Sequence, residues 1–108
     1  MGFHTKWEQK DAAGEISKII KENGDGRMRS IADFVDSETD RRGNHTISAE
    51  SNSGIFHDTK VDVKFRDDPQ KGCYIEVIPK PGSDTSYKEA QEIENKIKEA
   101  YFGDGVVR

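Results

Sequence analysis

Two stretches of the chain alternate apolar and polar residues at a period of two, and this pattern bounds what it can fold into. In residues 60–66, Val61, Val63 and Phe65 alternate with Asp62, Lys64 and Arg66. In residues 73–78, Cys73, Ile75 and Val77 alternate with Tyr74, Glu76 and Ile78. Successive side chains of a strand point to opposite faces, so each stretch reads as a strand with one buried and one wet face. Between them, Asp67-Asp68-Pro69-Gln70-Lys71-Gly72 is rich in turn formers and makes a hairpin connection. Pro79 and Pro81 lack the amide hydrogen that a ladder needs and end the second strand. A third strand is expected over residues 45–51, where Ile47 and Ala49 alternate with polar neighbours. Asn52-Ser53-Gly54 reads as a turn after it, and Ile55-Phe56 extends one strand or starts the next.

A meander with one apolar face needs a cover, and flanking segments with helical spacing supply it. Thr5 and Glu8 have the spacing of a capping box, which predicts a helix from about Lys6. Trp7, Ala12, Ile16, Ile19 and Ile20 mark its apolar face, and Asn23-Gly24 is its stop. Gly14 interrupts this helix at a cost of about 1 kcal/mol relative to alanine. A shorter helix is expected after Gly24-Asp25-Gly26, with Met28, Ile31, Ala32 and Val35 on one side. Ser37 to Asn44 carries no apolar residue and reads as an exposed loop. Ser86 and Glu89 repeat the capping-box spacing and open a helix to about Phe102, with Ala90, Ile93, Ile97, Ala100 and Tyr101 facing inward. On its outer side Glu92 with Lys96, and Glu94 with Lys98, have the favourable order for ion pairs one turn apart.

The expected fold is α+β: a two-layer sandwich in which a three-stranded antiparallel meander is covered by helices, in the order ααβββα. Residues 1–103 make one domain and residues 104–108 a short C-terminal tail, frayed unless Val106 and Val107 dock on the sheet.

Composition then narrows the function classes. Apolar residues are 31% of the 108 and charged residues 35%, so the core is small and the surface heavily ionised. Leucine is absent, and Ile, Val and Phe together supply only 21 residues. Residues 1–50 hold 8 basic and 10 acidic groups and residues 51–108 hold 9 and 11, so neither half carries the basic arm that a polyanion or a membrane surface would attract. No apolar run approaches the about 18 residues that span a bilayer, and Met1 to Lys10 has no apolar leader segment. A single cysteine, Cys73, forms no internal disulfide, and a cytoplasmic location is expected.

Asn23-Gly24-Asp25-Gly26-Arg27-Met28 resembles the centre of an EF-hand or dockerin loop, with Asn23 and Asp25 at the third and fifth positions and Gly26 as the sharp-turn glycine. The pattern departs at both ends, where Lys21 replaces the first aspartate and Ala32 the bidentate carboxylate, so no metal is expected and the segment reads as an inter-helix turn. Its glycines, with Arg27 and Arg29, also have the ingredients of a phosphate cradle, although the spacing matches neither a P-loop nor a dinucleotide fingerprint. Together with Arg41 and Arg42, these arginines are the candidate nucleic-acid contacts, set among Asp25, Asp33, Asp36, Glu38 and Asp40.

Catalytic constellations are sparse. Cys73 falls on the inward register, where a thiol packs as a small hydrophobe. His4, His45 and His57 share no ligand spacing. Asp62-Val63-Lys64 echoes half of a nuclease strand, but it also follows from any amphipathic strand, and no second carboxylate motif accompanies it. The segment Gly26-Arg27-Met28-Arg29-Ser30-Ile31 resembles the Gly-Arg-Leu-Arg-x-Ser-Ile segment of tailed-phage tail-completion and minor head proteins, with one residue fewer before the serine and no threonine ahead of the glycine. That resemblance implies a structural component of a head–tail assembly.

The expected function is therefore that of a small non-enzymatic domain that binds another protein, as an inhibitor, adaptor, immunity protein or assembly component does. No cofactor is expected. The expected contact surface is the wet sheet face of Asp62, Lys64, Arg66, Tyr74, Glu76 and Ile78, since tyrosine and arginine are enriched in interface hot spots. The alternatives are the tailed-phage structural role and a nucleic-acid module built on Arg27, Arg29, Arg41 and Arg42.

Overall fold

Both alternating stretches are strands, and they pair antiparallel with Val63 opposite Val77 and Phe65 opposite Ile75. The computed structural model describes residues 1–22, 32, 34–51, 58–103 and 105–108. Among these the elements run β1 (Phe3–Thr5), α1 (Gln9–Glu22), β2 (Phe34–Thr39), β3 (His45–Ser51), β4 (Thr59–Asp67), β5 (Cys73–Pro79) and α2 (Tyr87–Phe102). They form one antiparallel sheet in the order β1-β5-β4-β3-β2. The described residues thus hold a five-stranded sheet and two helices, which corrects the expected three-stranded meander and its ααβββα order.

The two extra strands are the sheet edges, and each escaped the periodicity argument for a physical reason. β1 is only three residues long, with Phe3 and Thr5 buried and His4 exposed, too short to show a period. In β2, Asp36, Ser37, Glu38 and Thr39 are exposed whichever way they point, so the edge carries no apolar alternation. Those residues, read above as helix end and loop, pair with β3 from Phe34 opposite Glu50 to Thr39 opposite His45. The rest of the expected second helix, residues 28–31 and 33, lies outside the described residues, as do the turn at 52–54 and Ile55-Phe56.

A tight connection joins β2 to β3. Asp40 Oδ1 accepts the Arg42 amide at 2.8 Å and the Asn44 amide at 2.9 Å, and Gly43 takes φ +83°. An acidic residue bonding forward to the backbone, with glycine in the left-handed region, is a hairpin signature. Gly72 closes the β4–β5 hairpin at φ +77°, and a Cβ there would sit 2.0 Å from the Thr5 carbonyl oxygen. Both facts require glycine at that point.

Every apolar strand residue of the core faces one way. Phe3, Ile75 and Phe65 lie abreast, as do Val77, Val63 and Ile47, and then Val61 and Ala49. α1 lies over β2, β3 and β4 with Ala12, Ile16, Ile19 and Ile20 inward, and α2 lies over β5 with Ala90, Ile93, Ile97 and Tyr101 inward. Full burial of such side chains contributes about 1.5–3 kcal/mol each. Because β1 and β2 occupy opposite edges, the chain between them must cross the whole sheet, and α1 makes that crossing on the apolar side.

The capping boxes divide. At α2 the Ser86 side chain accepts the Glu89 amide at 3.1 Å and Glu89 Oε1 reaches back toward the Ser86 amide, as the spacing predicts. The Thr5–Glu8 spacing makes no cap: Thr5 ends β1 with its hydroxyl buried beside Tyr101, and α1 starts at Gln9. Within α2, Ala100 is exposed and Glu94 is buried, the reverse of the expected assignment.

Gly14 on α1 has open space around its missing Cβ. Gly14→Ala therefore gains helix propensity without a clash, and thermal melting is expected to show it stabilised by about 0.5–1 kcal/mol. A lower melting temperature would mean that the site needs glycine for another reason. Among the described residues, no helix is long and apolar enough to cross a membrane.

Candidate protein-binding face of the sheet

With both helices on one side, the alternate residues of the strands form rows across the other face. The first row is His4, Tyr74 and Arg66, which are cross-strand partners on β1, β5 and β4. The Arg66 guanidinium carbon lies 4.5 Å from the Tyr74 ring centroid, and the His4 ring lies 4.9 Å from it on a tilt of 60°. The Tyr74 hydroxyl donates to the Met1 carbonyl at 2.6 Å, so the ring is held on both flanks and at its tip. His4 Nδ1 in turn lies 2.6 Å from Asp68 Oδ2. The Gln70 amide, 2.9 Å from Asp68 Oδ1, holds that carboxyl below its usual value, and His4 adds to the effect. Partial burial, reinforced by Glu76, pushes the Tyr74 hydroxyl up, which keeps it a donor.

The second row sets Glu76 opposite Lys64, and Lys64 opposite Thr46. The third sets Ile78 opposite Asp62, and Asp62 opposite Ser48. Here the wet-face expectation needs correction. Asp62 is 7% exposed and its Oδ1 accepts the Ser48 hydroxyl at 2.9 Å, so this carboxylate is tied into the sheet between its neighbours. Lys64 and Arg66 are exposed, while Tyr74, Glu76 and Ile78 are half-buried. The six residues therefore share a face but split into two centres. Tyr74 with Arg66 makes one and Ile78 with Asp62 the other, about 13 Å apart along β5 with Glu76 between them.

The remaining candidates are placed as follows. Cys73 is fully buried, and burial, with Asp67 and Asp68 nearby, pushes its thiol up to about 11. A thiol so raised is a poor nucleophile. His4 and His45 lie on different strands, and among the described residues no group of three His, Cys, Asp or Glu side chains is placed to hold a metal ion. Arg41 and Arg42 are exposed on the β2–β3 turn beside Asp40. Arg27, Arg29, the Asn23–Met28 loop, the Gly26–Ile31 segment and His57 lie outside the described residues. No protein-family model, curated protein or solved structure matches the chain.

Two features of this face left no trace in the residue pattern. His4 joins the row only because β1 pairs with β5, and a three-residue strand has no periodicity to read. The Met1 carbonyl reaches Tyr74 because the chain turns at Gly2, which has φ +83°.

Proposed function

We propose that the chain is a protein-binding module that engages its partner through the open face of the sheet, centred on Tyr74 and Arg66. One observation carries this reading: the Tyr74 ring is fixed between Arg66 and His4, with its hydroxyl on the Met1 carbonyl, on the face away from both helices. Side chains immobilised before contact lose little entropy on binding, and rigid tyrosine–arginine pairs are typical anchors of interfaces. Lys64 and Glu76 supply charges of both signs beside the anchor, and the Lys80–Glu50 ion pair, at 3.6 Å, lies at the far end of the same face, one row beyond Ile78. Such a rim sets orientation and association rate more than affinity.

The test uses Tyr74→Ser combined with Ile78→Ser. A partner is first captured on the wild-type chain from cells of its origin, then purified and titrated by calorimetry. Because both side chains are only half-buried, the double variant is expected to remain folded by circular dichroism while its affinity falls by about 30-fold or more. Unchanged affinity in a folded double variant would remove the open face as the contact surface. Joint loss of fold and binding would show that these side chains serve the sheet itself.

A further inference from the structure

We propose that the cleft between Trp7, Tyr101 and Glu15 is a recognition site for an arginine side chain on an extended segment of a partner protein, occupied in this structure by the chain's own Arg108. The site lies in the helical layer, apart from the sheet face described above, and does not depend on that reading. The Arg108 guanidinium carbon is 5.0 Å from the Trp7 ring centroid and 5.1 Å from that of Tyr101. Its Nη1 donates to the Tyr101 carbonyl at 2.5 Å, and its Nη2 lies 3.4 Å from Glu15 Oε1. Two rings, a carboxylate and a carbonyl acceptor around one planar fork are the elements that select guanidinium over ammonium.

The burial pattern of the segment shows what the cleft holds. The Arg108 side chain is 5% exposed, whereas Val106 is 48% and Val107 76% exposed. A terminal segment docked by the hydrophobic effect would bury its valines and leave its arginine in water. Here the order is inverted, so apolar burial is not what docks the segment, and the guanidinium contacts are among those that hold it.

A second observation bears on an outside ligand. Trp7 and Glu15 also line a wide, open groove of about 690 Å³ shared with Lys6, Glu8, Lys10, Asp11 and Gly14, which carries charges of both signs and which no residue of 105–108 lines. Arg108 enters the cleft from the end of α2, through Gly103 and Gly105, and leaves this groove clear. A peptide carrying its own arginine into the cleft has the groove as a track for its flanking backbone. The short tether gives Arg108 an effective concentration in the millimolar range, so it competes with any such ligand and tunes how strong a partner must be.

Trp7 is the chain's single tryptophan and reports on the cleft by its fluorescence. The probes are acetyl-Gly-Arg-Gly-amide and its lysine counterpart, titrated into the wild-type chain and into Arg108→Ala. In Arg108→Ala, Trp7 emission is expected to shift toward that of exposed indole. The arginine peptide is expected to reverse the shift saturably at millimolar concentration, with the lysine peptide about tenfold weaker and the wild-type chain responding about tenfold more weakly than the variant. Adding Glu15→Gln to Arg108→Ala should abolish the arginine preference. If Arg108→Ala does not fold, Arg108→Lys takes its place and the same peptide order is expected. A folded variant that shows no saturable response, or equal responses to both peptides, would overturn the proposal. So would a concentration-dependent wild-type dimer that Arg108→Ala abolishes, because the cleft would then belong to the same segment of a second copy.

Discussion

Glu94→Ala is expected to cost this domain about 3 kcal/mol of folding free energy, more than any other single polar substitution in the described residues. The carboxylate is 2% exposed on the inner side of α2 and serves three donors. Its Oε1 accepts the Val77 amide at 3.1 Å and the Gly2 amide at 3.1 Å, and its Oε2 accepts Gln91 Nε2 at 3.0 Å. The ladder between β1 and β5 explains why a charge sits there. That ladder stops at Phe3 opposite Ile75, so the Val77 amide has no strand residue to meet on that side, and the side chain of α2 meets it instead. Alanine would orphan a buried backbone donor and release the chain start at Gly2, each loss being worth about 1–3 kcal/mol. Glutamine keeps the shape and one acceptor, and about half the loss is expected. Urea unfolding followed by circular dichroism separates the two, with midpoints falling in the order wild type, Gln, Ala at constant slope. An alanine variant within 1 kcal/mol of wild type would mean that Glu94 does not bridge helix to sheet edge.

The same residue shows how far sequence reasoning reaches. Position 94 stands next to the apolar stripe of Ala90, Ile93 and Ile97, and a glutamate there reads as the outer partner of Lys98. Nothing local signals that the β5 edge needs an acceptor at that point, because the Val77 amide is left open only by where β1 stops, and the Gly2 amide that shares the carboxylate lies over ninety residues away in the chain. Legible elements were those whose cause is local. β4 and β5 bury one face each and write that into a period of two. The Ser86 cap and the stripe of α2 are equally local. β1 and β2 owe their strand state to the neighbours they pair with, a tertiary effect that overrides weak local preference.

The candidate face divides along the same line. That Tyr74, Arg66 and Lys64 share the side away from the core follows from alternation alone. That Asp62 is buried does not, since its burial depends on Ser48 and Ile78 flanking it across two different strand pairs. The arginine cleft was the least legible. Trp7 reads as part of the helical apolar face and Arg108 as the end of a frayed tail, and only the docking of both on Tyr101 brings them together. The aromatic cluster at that corner leaves no trace in the spacing, because its members come from β1, the turn before α1, and α2.

Tyr101 is the common support of that corner, and its replacement carries the largest apolar effect expected among the described residues. The side chain is fully buried, with ring centroids of Phe102 at 5.0 Å, Trp7 at 6.1 Å and Phe3 at 6.2 Å. Its hydroxyl lies 2.8 Å from Thr5 Oγ1, and burial pushes its pKa up while the Thr5 contact opposes that. Tyr101→Ala removes the ring and leaves a cavity between β1 and α2, at an expected cost of about 3–5 kcal/mol. Against a total stability of about 5–15 kcal/mol for a domain of this kind, that loss leaves the fold marginal. Tyr101→Phe keeps the ring and gives up only the Thr5 contact, for which about 1 kcal/mol is expected because Thr5 Oγ1 still accepts the Trp7 amide at 3.2 Å. The pair of variants also separates packing from the cleft. Phenylalanine retains the ring face and the backbone carbonyl that Arg108 uses, so Trp7 emission should match wild type in Tyr101→Phe and shift in Tyr101→Ala even under conditions where the alanine variant remains folded. Chemical denaturation with Trp7 fluorescence and far-ultraviolet circular dichroism read in parallel provides both numbers. A cost below about 2 kcal/mol for Tyr101→Ala would show that β1 and α2 close over the gap, and that the aromatic corner is not what joins them.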